Sequence, residues 1–429
     1  MLKDYSENII WGKVVNILTI FLCFLRSVFI LESSIRRTHR VFTPTFILIS
    51  VIIIAGLSQG LLLPVLSIFM EERGISSSVN GLHAAALYVG SFAMSLVAEK
   101  LLRRTGFKLL LLSGVVLVML ALPVFPLVSD LRLWFILRLL VGIGDSAIHF
   151  TSQLWIILVS PQDKRGRNIS LYGMSYGLGF SIGPLGIRLL EYGQAVPFVL
   201  LAILFLTIVI LAALYLPDRA PEPVRQEEAG APRKVPQIYR LAWFALLPAL
   251  LYGYMEASMN SNFPIYGLRS GLSAADIAAL LPFFGIGGLI LQLPLGILSD
   301  RFGRKKVLMT AGLTGGLLFL AVPLAGSHFM ALLLLFMGAG GLVGSFFSLG
   351  LAYAADLLPR HLLPVANVIA SFHFNFGSII GPNLGGAAMQ LGAAPMLFIL
   401  LGSAYLLFSA SGLVFRPELY KKSVNMNRL

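Results

Sequence analysis

Gly296-Ile297-Leu298-Ser299-Asp300-Arg301-Phe302-Gly303-Arg304-Lys305-Lys306 lies between two long apolar stretches. It compresses a carboxylate, two glycines and four cations into a turn too short to fold alone. Apolar runs of about 18 residues or more flank it and recur along the chain, each long enough to cross a hydrocarbon core of about 30 Å as a helix. The stretch therefore reads as a polar loop between membrane spans. Earlier in the chain, Ala98-Glu99-Lys100-Leu101-Leu102-Arg103-Arg104-Thr105-Gly106-Phe107-Lys108 repeats it in worn form, with Glu99 standing 201 residues before Asp300.

Composition supports a lipid-solvated chain. Of 429 residues, 57% are hydrophobic and 12% charged, and mean hydropathy is +0.87; soluble domains hold roughly 45–50% apolar and about 25% charged residues. Only helices or closed barrels satisfy their backbone groups inside a bilayer, and the absence of period-2 alternation favours helices. The net charge of +13 gathers in short segments between apolar runs, with no aromatic-interleaved basic region of the kind that binds nucleic acid. The lone cysteine, Cys23, permits no internal disulfide or Cys-based metal cluster.

The hydropathy pattern predicts an all-α membrane protein with twelve spans, near residues 44–69, 79–101, 107–128, 131–158, 168–191, 195–216, 240–265, 274–298, 307–326, 328–356, 362–390 and 394–415. Lys and Arg crowd the junctions that would face the cytoplasm, whereas the opposite junctions hold Arg73, Arg132 and Arg269. This bias places the linker and C-terminus inside. The expected organisation is an N-terminal extension (1–40), a six-helix bundle (41–216), a Pro-rich polar linker (217–239), a second bundle (240–416) and a cytoplasmic tail (417–429). The extension reads three ways: an extra anchor helix, a start site placed too far upstream, or an uncleaved signal-like segment.

The halves repeat. Gly179-x-x-x-Gly183-Pro184-x-Gly186 is answered by Gly377-x-x-x-Gly381-Pro382-x-x-Gly385-Gly386 at an offset of 198, and Pro161 by Pro359 at the same offset. One retained spacing across separate motifs indicates a duplicated bundle, two pseudo-symmetric units of six helices. The glycines allow close helix approach and each proline removes a backbone donor.

These motifs resemble the major facilitator superfamily over residues 41–416. The loop at Asp300 resembles the signature that joins the second and third helices of each six-helix half. Arg138-Leu139-Leu140-Val141-Gly142-Ile143-Gly144-Asp145 resembles the superfamily's proton-linked motif, and the first Gly-Pro tract resembles the signature of its drug and metabolite antiporters. That tract departs from the pattern where Arg188 and Glu191 follow a single Gly186. The resemblance implies alternating access, with a cytoplasmic gate built from Glu99, Arg103, Arg104, Asp300, Arg301, Gly303 and Arg304.

Two constellations carry chemistry. Arg138, Asp145 and His149 are separated by 7 and 11 residues, so at about 100° per residue they share one helical face. Charged groups at mid-membrane cost roughly 2.5–3.5 kcal/mol each and usually face a water-filled cavity or one another; histidine adds a group that titrates near neutrality. In the seventh span, Tyr252, Glu256 and Asn260 recur at four-residue steps, and a carboxyl there suits a proton carrier or a cation site. His83, Gln59, Asn367, His373 and Asn375 are further polar candidates, with Tyr88, Tyr172, Tyr176 and Phe374 as aromatic wall.

No phosphate-binding Gly-x-x-x-x-Gly-Lys-Ser/Thr loop and no His-Glu-x-x-His occurs, so ATP, metal and cofactor chemistry are not expected. The sequence reads as a monomeric secondary transporter of the cell membrane, not an enzyme. Its expected partners are protons, a small organic solute and the lipid bilayer, with proton-coupled efflux as the leading mode. The competing readings are a nutrient-importing symporter, a metallophore or peptide exporter, and a membrane receptor or lipid-modifying enzyme on a carrier fold.

Overall fold

The computed structural model describes residues 42–160, 164–217 and 231–416. The expected N-terminal extension, the tail 417–429, Pro161 and most of the linker lie outside them. The described chain folds into thirteen α-helices: α1 Phe42–Glu72, α2 Ser77–Thr105, α3 Phe107–Ala121, α4 Leu131–Val159, α5 Arg165–Ile182, α6 Val196–Tyr215, α7 Ala231–Arg269, α8 Ala274–Phe302, α9 Arg304–Ala321, α10 Phe329–Val343, α11 Phe346–Leu357, α12 Leu363–Leu391 and α13 Met396–Val414. α10 and α11 together form the tenth of twelve rods. Eleven rods are long and apolar enough to cross a membrane. The remaining one, the fifth, changes at Gly183 from α-helix to a 3-10 helix running to Tyr192, because Pro184 has no N–H with which to continue the α ladder.

Residues 231–239, read from sequence as linker, are helical and belong to α7. The polar composition of this stretch concealed the element, which departs from helical geometry only at Ala242 (φ −140°, ψ 23°).

The opening loop owes its shape to one residue. Gly303 takes φ +93° between α8 and α9, and Gly106 takes φ +81° between α2 and α3. Both lie in the left-handed region that side chains avoid. At the opposite face, Ser273 and Asp276 cap α8 reciprocally, Ser273 Oγ accepting from the Asp276 N–H at 3.1 Å and Asp276 Oδ2 accepting from the Ser273 N–H at 3.1 Å, which satisfies donors a helix start leaves free.

The same neighbours recur in each half: α1 with α5, α2 with α4 and α3 with α6, then α7 with α12, α8 with α10 and α9 with α13. Small residues permit these approaches. A Cβ on Gly142 would strike the Leu87 carbonyl, one on Gly179 that of Ile53, and one on Gly377 that of Leu250. The halves meet along α2–α12, α5–α8 and α1–α7, so the central site lies between rods of different halves.

Candidate functional site

Asp145 sits on α4, 6% exposed. Gln59 of α1 donates through Nε2 to Asp145 Oδ2 at 2.8 Å, and the Tyr176 hydroxyl of α5 donates to Gln59 Oε1. His149, one turn along α4, places Nε2 3.9 Å from Asp145 Oδ2. Its Nδ1 lies 2.7 Å from the Tyr172 hydroxyl. The same hydroxyl lies 3.3 Å from the His149 backbone carbonyl, to which it donates. His149 keeps a quarter of its side-chain surface accessible (25%) against 9% for Asp145, so solvent reaches the histidine more readily.

Glu256 supplies the second carboxylate from α7, 7% exposed. Tyr252, one turn earlier, points its hydroxyl at Glu256 Oε1, 3.4 Å away. Asn260 donates instead to the Glu256 backbone carbonyl at 2.8 Å, so this side chain serves the helix and leaves the carboxylate alone. Tyr252 stacks on Phe374, ring centroids 5.9 Å apart, while His149 meets Tyr176 edge-on at 4.7 Å. Tyr88 and Tyr176 lie within Coulombic range of both Asp145 and Glu256. Among the described residues, neither carboxylate has a lysine or arginine within 4.0 Å.

Arg138 does not join them. Seven residues before Asp145, it is 1% exposed, with Nη2 4.0 Å from Met70 Sδ and Nε and Nη1 without partners among the described residues. Shared helical phase placed it on Asp145's face, but seven residues of helix separate the groups by about 10 Å along the axis. The single stripe expected from sequence is thus two sites.

The Gly-Pro tracts pack helices within halves and, in one case, between them. Gly179 and Gly183 lie against α1, Gly377 and Gly381 against α7. Beside Pro382, α2 crosses so closely that a Cβ on Gly81 would strike the Pro382 carbonyl. Unlike Pro184, Pro382 sits inside an unbroken helix. The seam is completed by Ser77 Oγ donating to the Gly386 carbonyl at 2.8 Å, Asn80 Nδ2 to the Ser261 carbonyl at 3.1 Å, and Arg269 to Glu71 through Nε at 2.7 Å and Nη2 at 3.0 Å. Glu71 and Arg269 are themselves 198 residues apart, a signal the repeat spacing contained.

At the opposite, basic face, the expected gate residues pair within their own halves. Glu99 meets Arg103 at 2.5 Å; Arg304 meets Asp300 at 3.0 Å and, through Nε, Asp356 at 2.6 Å. Asp356 was not singled out from sequence because it closes the tenth rod far from the quoted loop. Arg104 and Arg301 are exposed. No cluster able to hold a metal ion occurs among the described residues.

The model of the Major Facilitator Superfamily matches residues 48–290 and 249–428. The chain belongs to that superfamily. This transporter is 41% identical over 357 residues to YfkF, an uncharacterized MFS-type transporter of Bacillus subtilis (strain 168), covering 82% of this chain and 90% of that one. It is 24% identical over 387 residues to Multidrug resistance protein 2 of the same organism, with 86% and 94% covered. Among solved structures, the nucleoside transporter NupG superimposes with a TM-score of 0.70 at 12% identity, covering 88% of this transporter and 99% of NupG. A bacterial homologue of the human lysosomal transporter Spinster, in an inward-facing and unoccupied conformation, gives 0.65 at 13% identity, with 89% and 100% covered. These two likenesses establish the fold of a multi-pass membrane transporter.

Proposed function

We propose that this transporter exports a small organic cation from the cell in exchange for protons, with Asp145 and Glu256 as the groups that take and release them. The observation that carries the reading is the pair of buried carboxylates, one in each half, held by Gln59, His149 and Tyr252 and, among the described residues, by no lysine or arginine. A carboxylate without a fixed counter-cation can be neutralised by a proton or by a cationic substrate, and competition between the two is the basis of antiport. The aromatic surfaces of Tyr176, Tyr252 and Phe374 suit an apolar body carrying that charge. The basic face is assigned to the cytoplasm by the excess of Lys and Arg there, with Glu99 and Asp300 as gate groups on that side. The relative named as a multidrug resistance protein supports the outward direction.

In the cycle, protonation from outside weakens the hold on substrate, the halves rock, and proton release inside lets the next cation bind. The test uses everted vesicles with an acidic lumen. Addition of a lipophilic cation should dissipate the proton gradient with the intact chain, and Asp145→Asn or Glu256→Gln should retain under about a tenth of that rate. Full proton-coupled flux in both variants would falsify the assignment, and gradient-driven uptake into cells would establish the symport alternative.

A further inference from the structure

Four tyrosines surround the two carboxylates, and three have hydroxyl partners: Tyr176 with Gln59, Tyr172 with His149, and Tyr252 with Glu256. Tyr88 differs. It projects from α2, is 3% exposed, and its hydroxyl has no partner among the described residues. Its place is set by backbone packing: Gly142 of α4 fits against the carbonyl of Leu87 and the N–H of Ser91, while Gly90 fits against the Leu139 carbonyl. This clamps the turn bearing Tyr88 onto the turn of α4 that precedes Asp145. The hydroxyl is within Coulombic range of Asp145 on its own half and of Glu256 on the other.

A buried phenol with nothing to bond is less stable than a phenylalanine of the same shape. Packing alone therefore does not account for the oxygen. A phenol oxygen that lacks a partner and lies within Coulombic range of two carboxylates is free to accept a hydrogen bond from a cationic donor that they attract. A quaternary ammonium or phosphonium has charge but no N–H to offer; a protonated amine has both.

We infer that Tyr88 is a specificity residue of the transport site: with Asp145 and Glu256 it completes a three-acceptor set that selects protonated amines over cations lacking an N–H. The inference rests on the cation reading of the carboxylates given above and names the chemistry of the cation. Sites that hydrogen-bond a substrate group discriminate strongly against analogues without it, because their own polar atoms are then left unpaired.

The test is equilibrium binding to the purified full chain, at neutral pH and without a gradient, of phenethylammonium and of its N,N,N-trimethyl derivative. The intact chain should bind the amine at least about tenfold more tightly. Tyr88→Phe should weaken amine binding about tenfold, leave the quaternary probe within about twofold, and unfold thermally no earlier than the parent, since the variant buries no orphan hydroxyl. An unchanged affinity ratio in Tyr88→Phe overturns the proposal, as does an equal loss for both probes, a lowered unfolding midpoint, or failure of the intact chain to bind the amine. Because no gradient is used, the result is independent of proton coupling. Loss of coupling with the ratio intact removes the exchange mechanism alone, and coupled flux with no amine preference removes this inference alone.

Discussion

The two faces of the bundle hold their polar groups in opposite ways. At the Glu71 face, bonds cross between halves: Arg269 to Glu71, Ser77 to Gly386 and Asn80 to Ser261. At the basic face, Glu99 pairs with Arg103 on the same helix, and Arg304 gathers Asp300 and Asp356 inside the second half. The first face is closed by contacts that must break for the halves to part there. The three described pairs of the second can stay satisfied while the halves move, so they resist rocking less. A transporter needs one face of each kind at a time, and here the polar groups themselves report which one is sealed.

The contrast between the faces is most vulnerable at the backbone crossing. Gly81→Val puts side-chain atoms where the Pro382 carbonyl lies, and overpacking costs about 1–3 kcal/mol. A disulfide between Ser77→Cys and Gln390→Cys, whose native side chains approach within 3.5 Å, measures closure in a Cys23→Ser background. Gly81→Val should lower its yield about tenfold or more. A yield that stays at the parental level would mean that the glycine crossing is not what brings the halves together.

Charge comes next. Arg269 and Glu71 are partly exposed, with side-chain accessibilities of 30% and 19%, so their pair is worth about 1 kcal/mol at most. Glu71→Gln or Arg269→Gln should reduce cross-linking about threefold to fivefold, and the exchange Glu71→Arg with Arg269→Glu should recover most of it. If the exchange leaves cross-linking as low as the single variants, attraction between these two charges is not the cause of closure. At the basic face, Asp356→Asn should leave the cross-link within about twofold and lower the unfolding midpoint by a few degrees, since it removes a partner of Arg304 within one half. The smallest effect belongs to Glu99→Gln. Its exposed pair four residues apart contributes about 0.3–0.5 kcal/mol, and its midpoint should shift by about 1 °C or less; a shift as large as that of Asp356→Asn would show that Glu99 has partners beyond its own helix.

The fold was legible because duplication writes itself twice: the loops at Glu99 and Asp300 and the Gly-Pro tracts at 183 and 381 keep nearly one spacing. The carboxylates were legible for a different reason, since an acidic residue inside an apolar rod has few structural excuses. What surrounds them was not. A helical wheel gives the direction a residue faces and is silent on the neighbour it meets, so Arg138 shared a phase with Asp145 yet lies against Met70. Gln59 and Tyr88 were candidates only as one more amide and one more ring, and the partner of Gln59 and the lack of one at Tyr88 emerge only when α1 and α2 are set beside α4. Glu71 and Arg269 obeyed the repeat spacing, but as opposite charges they resembled no common motif.

The change of winding at Gly183 bears on how the repeats can be compared. A 3-10 helix advances about 2.0 Å and 120° per residue where an α-helix advances about 1.5 Å and 100°. Over the ten residues from Gly183 to Tyr192, the rod gains about 5 Å of reach and its side chains drift by roughly half a revolution. Arg188 and Glu191 therefore look toward other surroundings than Gly386 and Met389, their counterparts by repeat spacing, which remain on the regular spiral of α12. Beyond that proline, ancestry still aligns the letters, while geometry has already given them separate audiences.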